Sequence, residues 1–260
     1  SPDTPILIMG ETGTGKELLA SAIHYNSPNF KAPFATVNCA AIPKDLIESE
    51  LFGYEKGAFS GAGASGKKGL IEEAAGGPLF LDEVGDLSLE AQAKLLRFLE
   101  FGEFYRVGGT KKHHIDTRVI SATNKDIDQM IADGQFRKDL YFRLGVIKVK
   151  VPSLNERPDD IIPLTKYFLQ EFNRKFDKKF SGISSDVETL LISHNWTGHV
   201  RELKNLIERA VLIGKEPELS PSDLGLDPKN QRQQQSTTSG KAGFPPLPPE
   251  GIVLDSQLQS

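Results

Sequence analysis

Cysteine is all but missing: Cys39 stands alone in 260 residues. That excludes an internal disulfide and fits a reducing, cytoplasmic setting. No stretch of eighteen apolar residues occurs, and no charged-then-apolar segment opens the chain, which argues against membrane insertion and secretion. A basic excess is lacking too. Lys and Arg number 31 against 35 Asp and Glu, a net charge of −4, so the chain has no overall electrostatic footprint for holding DNA. Internal repeats are absent. With 38% hydrophobic and 25% charged residues, the length allows one domain with a substantial core plus a smaller second one. The first residue is serine, not methionine, so a piece of a longer protein is expected.

Apolar runs and their spacing predict two regions. Strands are expected at residues 6–9, 34–38, 78–82, 118–123 and 147–151. Helices are expected between them at 16–26, 45–52 and 88–101. The first carries Leu18, Leu19, Ala22 and Ile23 on its apolar side, and Ser88 caps the last. Strands alternating with helices imply an α/β fold with a mostly parallel sheet flanked by helices, over residues 1–152. From Pro152 the pattern turns helical only, with helices at 159–175, 186–193 and 200–213, giving a small all-helical domain over 153–225. Ser185 with Glu188 reads as a capping box for the second of these. In the third, Val200, Leu203, Leu206, Ile207, Ala210 and Val211 form one stripe. Residues 226–250, rich in Gln, Ser and Pro, read as a flexible linker, and 251–260 as the start of a further element.

The first strand runs into Gly10-Glu11-Thr12-Gly13-Thr14-Gly15-Lys16-Glu17, a G-x-x-x-x-G-K phosphate cradle. Gly13 and Gly15 let backbone N–H groups approach phosphate oxygens, the following helix aims its N-terminus at the anion, and Lys16 adds a mobile charge. Glu17 stands where Ser or Thr usually meets magnesium. Two readings stay open: its carboxylate holds the metal through water, or it turns away and leaves Thr14 as the polar substitute.

Leu79-Phe80-Leu81-Asp82-Glu83 is an apolar strand ending in two acids. Asp82 is expected to hold magnesium and Glu83 to orient and activate the attacking water, while a plain acidic turn is the bland alternative. Thr123 and Asn124 end another strand beside that chemistry, where either can position the water or sense the γ-phosphate. Asn38 ends the second strand and could hydrogen-bond Glu83 in one nucleotide state. Arg137 and Arg143 are candidates for arginine fingers acting on a neighbouring subunit's nucleotide, against a reading as surface ion pairs. Six residues apart, they lie about 120° from each other on an ideal helix and should not share one role.

Residues 57–62 read Gly57-Ala58-Phe59-Ser60-Gly61-Ala62. Glycines at both ends allow a hinge, and an aromatic at the tip can anchor in a partner's pocket; the alternative is a tight hairpin that buries Phe59 in its own core. His113-His114 lacks a third ligand at metal spacing and reads as a loop pair, and Cys39 as a packed small residue.

These pieces, in this order over roughly residues 1–225, resemble the AAA+ central domain of bacterial enhancer-binding proteins, the NtrC-like activators of sigma-54 RNA polymerase. The most specific piece is the 57–62 loop, whose family form is Gly-Ala-Phe-Thr-Gly-Ala. The resemblance implies an ATP- and Mg2+-dependent ATPase forming a homo-oligomeric ring, expected to be a hexamer, that remodels the sigma-54 holoenzyme through that loop. It makes Asn38 the glutamate-switch residue, Thr123 and Asn124 the first sensor, Arg137 and Arg143 the trans-acting arginines, and Arg201 the second sensor. It also makes Val107 to Asp116 a second loop that moves with the first, and a glutamate at position 17 is usual in it. A receiver or sensing domain, as in two-component systems, is expected before this segment and a helix-turn-helix DNA-binding domain after it. Four positions depart from the family pattern: Ser60, Pro78, Thr197 and His199. The family's domain also begins some twenty-five residues earlier, with part of the adenine pocket there, so adenine affinity is expected to depend on that segment. Two competing functions are a AAA+ motor acting directly on nucleic acid, which would want basic pore loops, and a non-hydrolysing nucleotide-switch scaffold.

Overall fold

The computed structural model describes residues 4–59, 65–215 and 217–225. In chain order, the α/β part comprises β1 (Ile6–Met9), α1 (Lys16–Tyr25), β2 (Ala35–Asn38), α2 (Ile47–Phe52), β3 (Gly53–Tyr54), β4 (Lys67–Lys68), α3 (Leu70–Glu73), β5 (Leu79–Asp82) and α4 (Leu89–Phe101). It continues with β6 (Glu103–Tyr105), β7 (Lys112–His114), β8 (Val119–Thr123), α5 (Ile127–Ala132), α6 (Lys138–Leu144) and β9 (Ile147–Lys150). The helical part follows: α7 (Ile161–Phe176), β10 (Gly182–Ile183), α8 (Ser185–Ser193), α9 (His199–Ile213), β11 (Glu218–Leu219) and α10 (Pro221–Leu224).

Five strands form a parallel sheet in the order β2-β5-β8-β1-β9. Alternate side chains point to opposite faces of a strand, and the core divides accordingly. Leu7, Val37, Leu79, Leu81 and Val119 pack with α2, α4 and α6 on one face. Ile6, Ile8, Phe80, Ile120 and Ala122 pack with Ala20 of α1 on the other. Central β8 is buried at all five positions, whereas β9, at the edge, exposes three of its four residues. The helical part, which forms a lid over the sheet's strand ends, has its own core around Trp196, Leu203 and Ile207, where the Trp196 indole N–H donates to Leu191 O at 3.0 Å. The parallel pairing of β10 with β11 ties the connection between α7 and α8 to the segment after α9.

Four local expectations are corrected. On α1 the buried positions are Lys16, Ala20 and His24, while Leu18 is 71% exposed and Ala22 lies outside. Leu19 and Ile23 pack against the sheet as expected, so the packed stripe is rotated toward Lys16 and leaves only Leu18 and Ala22 of the expected four outside it. Helix α8 is capped by Ser184, whose hydroxyl accepts from Val187 N at 3.4 Å, and Ser185 is already its first residue. His113 and His114 lie in β7, not in a loop, with His113 stacked on Phe104 at 5.4 Å. The antiparallel pairs β3–β4 and β6–β7 were not expected at all.

Candidate active site

β1 ends at Met9, and Gly10 N donates to Thr123 O at 3.2 Å, which ties the start of the phosphate loop to the end of β8. Gly13 and Gly15 take φ of 89° and 104°, a left-handed backbone that side-chain-bearing residues avoid. No side chain caps α1 after Gly15, so its first amides remain available to an anion. Thr14 is buried and its hydroxyl donates to Glu11 O at 2.8 Å, which turns it into the loop. Glu17, by contrast, lines the cleft. Lys16 is only 6% exposed; its Nζ donates to Gly10 O at 2.9 Å and Glu11 O at 3.3 Å and lies 3.5 Å from Glu83 Oε1.

β5 delivers the two acids. Burial, and then the charge of Glu83, push the Asp82 carboxyl above its ordinary range, and Lys16 opposes them. Glu83 leaves the strand in the left-handed region, φ 53°, which turns its carboxylate toward β8. There Glu83 Oε2 accepts from Asn124 N at 3.0 Å, and Asn124 Nδ2 donates to Thr12 Oγ1 at 2.6 Å. One asparagine thus bridges the phosphate loop and the second acid. Beneath them, burial followed by the charges of Asp82, Asp86 and Glu83 pushes the Cys39 thiol up to about 12, which leaves it a neutral packed group.

Two expected partners are engaged elsewhere. Thr123 is fully buried, its hydroxyl accepting from Lys125 N at 3.1 Å, whereas its neighbour Asn124 bonds Glu83 and Thr12. Asn38 pairs with Asp82 in register across β2 and β5, but its side-chain oxygen accepts from Ala40 N at 3.0 Å and Ala41 N at 3.2 Å. It caps a short 3-10 turn here and does not bond Glu83.

The lid closes the other side. A cleft of about 350 Å³ is lined by Thr12, Gly13 and Lys16 from the phosphate loop and the start of α1, by Asp82 and Glu83 from the end of β5, and by Tyr167, Phe168, Glu171, Arg201 and Lys204 from α7 and α9. Among the described residues three bonds join lid and loop. Arg157 Nη2 donates to Thr14 O at 2.8 Å, Arg201 N donates to Gly13 O at 3.2 Å, and His199 Nε2 lies 3.0 Å from Glu11 Oε2. Of these lid residues Arg201 was legible in the sequence, whereas Arg157, Tyr167, Phe168, Glu171 and Lys204 were not. Lys204, three residues after Arg201 on the same helix face, was the one with a findable signal.

Arg137 and Arg143 are not brought to this cleft. Arg137 caps α6 from outside and makes a forked pair with Asp139, at 2.7 Å and 3.1 Å. Arg143 donates from Nε and Nη2 to Leu99 O, at 3.0 Å and 2.7 Å.

The loop with Phe59 follows α2 and β3. Of its six residues Gly57, Ala58 and Phe59 are described; Ser60, Gly61 and Ala62 lie outside the described residues. Phe59 is 39% exposed and sets its ring edge-on against Tyr54 at 5.1 Å, so it is neither sunk in a hairpin core nor free. The loop's base is stitched to the connection between β6 and β7: Val107 N donates to Gly53 O at 2.8 Å, and Glu55 N to Val107 O at 3.0 Å. Arg106 reinforces this by a forked pair with Glu72 and a contact to Glu55. That pairing holds the Glu72 carboxyl below its ordinary range.

Comparison with known proteins gives a consistent picture. Residues 1–150 match the family described as the Sigma-54 interaction domain, and residues 155–241 that of the AAA+ ATPase lid domain. Nitrogen fixation protein VnfA of Azotobacter vinelandii is 53% identical over 213 residues, which is 82% of this chain and 41% of VnfA. Regulatory protein AtoC of Escherichia coli K12 is 49% identical over 219 residues, 84% of this chain and 47% of AtoC. Among solved structures, NtrX from Brucella abortus in complex with ADP superposes with a TM-score of 0.79 at 42% identity, covering 85% of this chain and 49% of NtrX. The chain spans less than half the length of each of these three relatives.

Proposed function

The chain belongs to the Sigma-54 interaction family of AAA+ ATPases, and on that premise we propose that it hydrolyses ATP to remodel the sigma-54 RNA polymerase holoenzyme. The observation that carries this reading is the bond path Thr12–Asn124–Glu83 beside Lys16 and Asp82. In this reading the phosphate-loop amides and Lys16 hold the phosphates, with Arg201 and Lys204 adding charge from the lid. Glu83 accepts a proton from water as the water oxygen attacks the γ-phosphorus and ADP leaves, and Asn124 keeps the Glu83 carboxylate aimed. The donor set fits a magnesium ion: Asp82 is a half-buried acid whose burial disfavours its charge until a cation offsets it. Among the described residues no cluster of three ligating side chains exists, so Asp82, with Glu17 nearby, would share the ion with the phosphates. Such an ion, when bound, supplies charge neutralisation at the transferred phosphoryl group.

Arg137 and Arg143, which face away from their own cleft, are assigned to the cleft of a neighbouring subunit in a homo-oligomeric ring, expected to be a hexamer. The 57–62 loop is assigned to sigma-54. The working division is 1–152 for the nucleotide-binding unit and 153–225 for the lid, with 226–250 as a linker and 251–260 as the start of a DNA-binding element, both of which lie outside the described residues. Among the described residues no helix is long and apolar enough to cross a membrane, and the reading assigns the protein to the cytoplasm.

The test measures ATP turnover and binding to isolated sigma-54, with and without an ATP transition-state analogue, for wild type, Glu83→Gln and Phe59→Ala. We expect turnover in wild type, lost in Glu83→Gln, and a sigma-54 complex that needs the analogue and Phe59. Turnover without any sigma-54 complex would overturn the partner. Nucleotide binding without turnover would leave a switch scaffold instead.

A further inference from the structure

The residue at the first position of α9, His199, stands where the resembled family carries asparagine, and its surroundings give it a task. Its backbone is left-handed at φ 52°, a conformation that histidine and asparagine tolerate better than most residues. The side chain is 3% exposed, although it belongs to a turn at the lid's margin. Its Nε2 lies 3.0 Å from Glu11 Oε2, across 188 residues of sequence. Its Nδ1 is buried and has no hydrogen-bond partner. A buried N–H without an acceptor is costly, so the geometry puts the proton on Nε2, donating to Glu11.

Neighbouring groups define what this bond does. Gly198 presses on the phosphate loop closely enough that a Cβ on Gly13 would fall 2.5 Å from Gly198 O. Gly198 N in turn donates to Glu202 Oε2 at 2.8 Å, and Glu202 also holds His194 at 3.1 Å, which fixes the turn from the lid side. Arg201 N donates to Gly13 O two residues after His199. Among the described residues the other two lid–loop bonds end on backbone carbonyls, which any sequence would offer, and the His199 bond alone depends on side chains at both ends.

We propose that His199 is a positioning residue that seats the lid on the phosphate loop through Glu11, and thereby sets nucleotide affinity. The inference rests on the nucleotide-binding reading above. His199 touches no reacting atom and acts only through the loop. Replacement by asparagine keeps the left-handed backbone but is too short to reach Glu11, so it removes the bond without adding backbone strain.

The experiment is a double-mutant cycle on the full chain with His199→Asn, Glu11→Gln and the pair, read in two ways. The first is ADP affinity by calorimetry. Each single change should weaken it about 3- to 10-fold, and the pair no more than either alone, because both remove one interaction. The second is hydrogen exchange at the Arg201 amide without nucleotide. That amide should exchange faster in both single variants while the amides of α9 from Leu203 onward stay protected; a merely structural role would loosen the whole helix. Additive losses of affinity, or an unchanged Arg201 amide, would overturn the proposal even if nucleotide binds. If wild type binds no nucleotide while Arg201 exchange still couples His199 to Glu11, the nucleotide reading fails, the affinity part of the proposal falls with it, and only the lid–loop latch stands.

Discussion

The cleft at the end of β5 and the outer face of α6 carry charged groups of equal chemical promise but in opposite states. In the cleft, Lys16, Asp82, Glu83 and Asn124 converge within one chain and bond one another. On α6, Arg137 and Arg143 point outward and are occupied by Asp139 and by the Leu99 carbonyl. The cleft is built by strand ends, which the parallel sheet brings together without further help. The α6 face can act on a phosphate only if a phosphate is carried to it. The contrast separates groups that a single fold preorganises from groups that, on the proposed ring, would act on a second copy.

Mixing separates the two cases most sharply. Arg137→Ala alone should cost about 10³-fold in turnover, the scale of a missing arginine finger, and mixing it with Lys16→Ala subunits should restore part of it. Glu83→Gln should cost about 10²-fold or more, and the same mixing should restore nothing, since every cleft then carries a defect. Recovery in both mixtures, or in neither, would erase the distinction drawn here.

The two arginines should also part in stability. Arg143 ties α6 to α4 through two bonds to Leu99 O, so Arg143→Ala is expected to cost about 1 kcal/mol and lower the melting temperature by a few degrees. Arg137 and Asp139 are both exposed, and Arg137→Ala should leave the melt unchanged. Equal melts for the two variants would show that the α4–α6 tie is not real.

The smallest effect lies in acid titration. Asp139 is held below its ordinary value of 3.8 by Arg137, so its contribution is present above that value and fades as pH falls through the depressed one. Asp82 runs the other way: its folded-state value is raised, so ionisation costs stability and protonation relieves the cost as pH falls through the raised value. Carboxyl-carbon NMR should find Asp82 titrating above Asp139. The reverse order would mean that Asp82 is better solvated than its position implies.

Much of the sheet and of the phosphate loop could be read from residues alone, because buried parallel strands are continuous apolar runs and the loop has a fixed spacing. Ile6–Met9 and Leu79–Asp82 fell where their apolar runs predict. What escaped depends on partners distant in sequence. Leu18 looks like a core residue until the sheet selects another stripe of α1. Ser184 and Ser185 differ by one position that composition does not resolve. Asn38 and Thr123 are placed correctly at strand ends, yet local backbone groups claim their side chains before Glu83 or a substrate can. Tyr167 and Phe168 read as one amphipathic helix, and only the packing of α7 over the loop brings them to the cleft. His199 was visible as a departure from pattern, but not its bond to a residue 188 positions away.

Glu83 itself sits at φ 53°, a left-handed backbone that costs a side-chain-bearing residue roughly 1–2 kcal/mol. In evolutionary terms, lineages selected for robustness alone would drift toward glycine at 83 and grow more heat-tolerant while losing their acid. Libraries screened by folding reporters should therefore enrich glycine there, and libraries screened by turnover should purge it. At this position, the two screens would pull one codon in opposite directions.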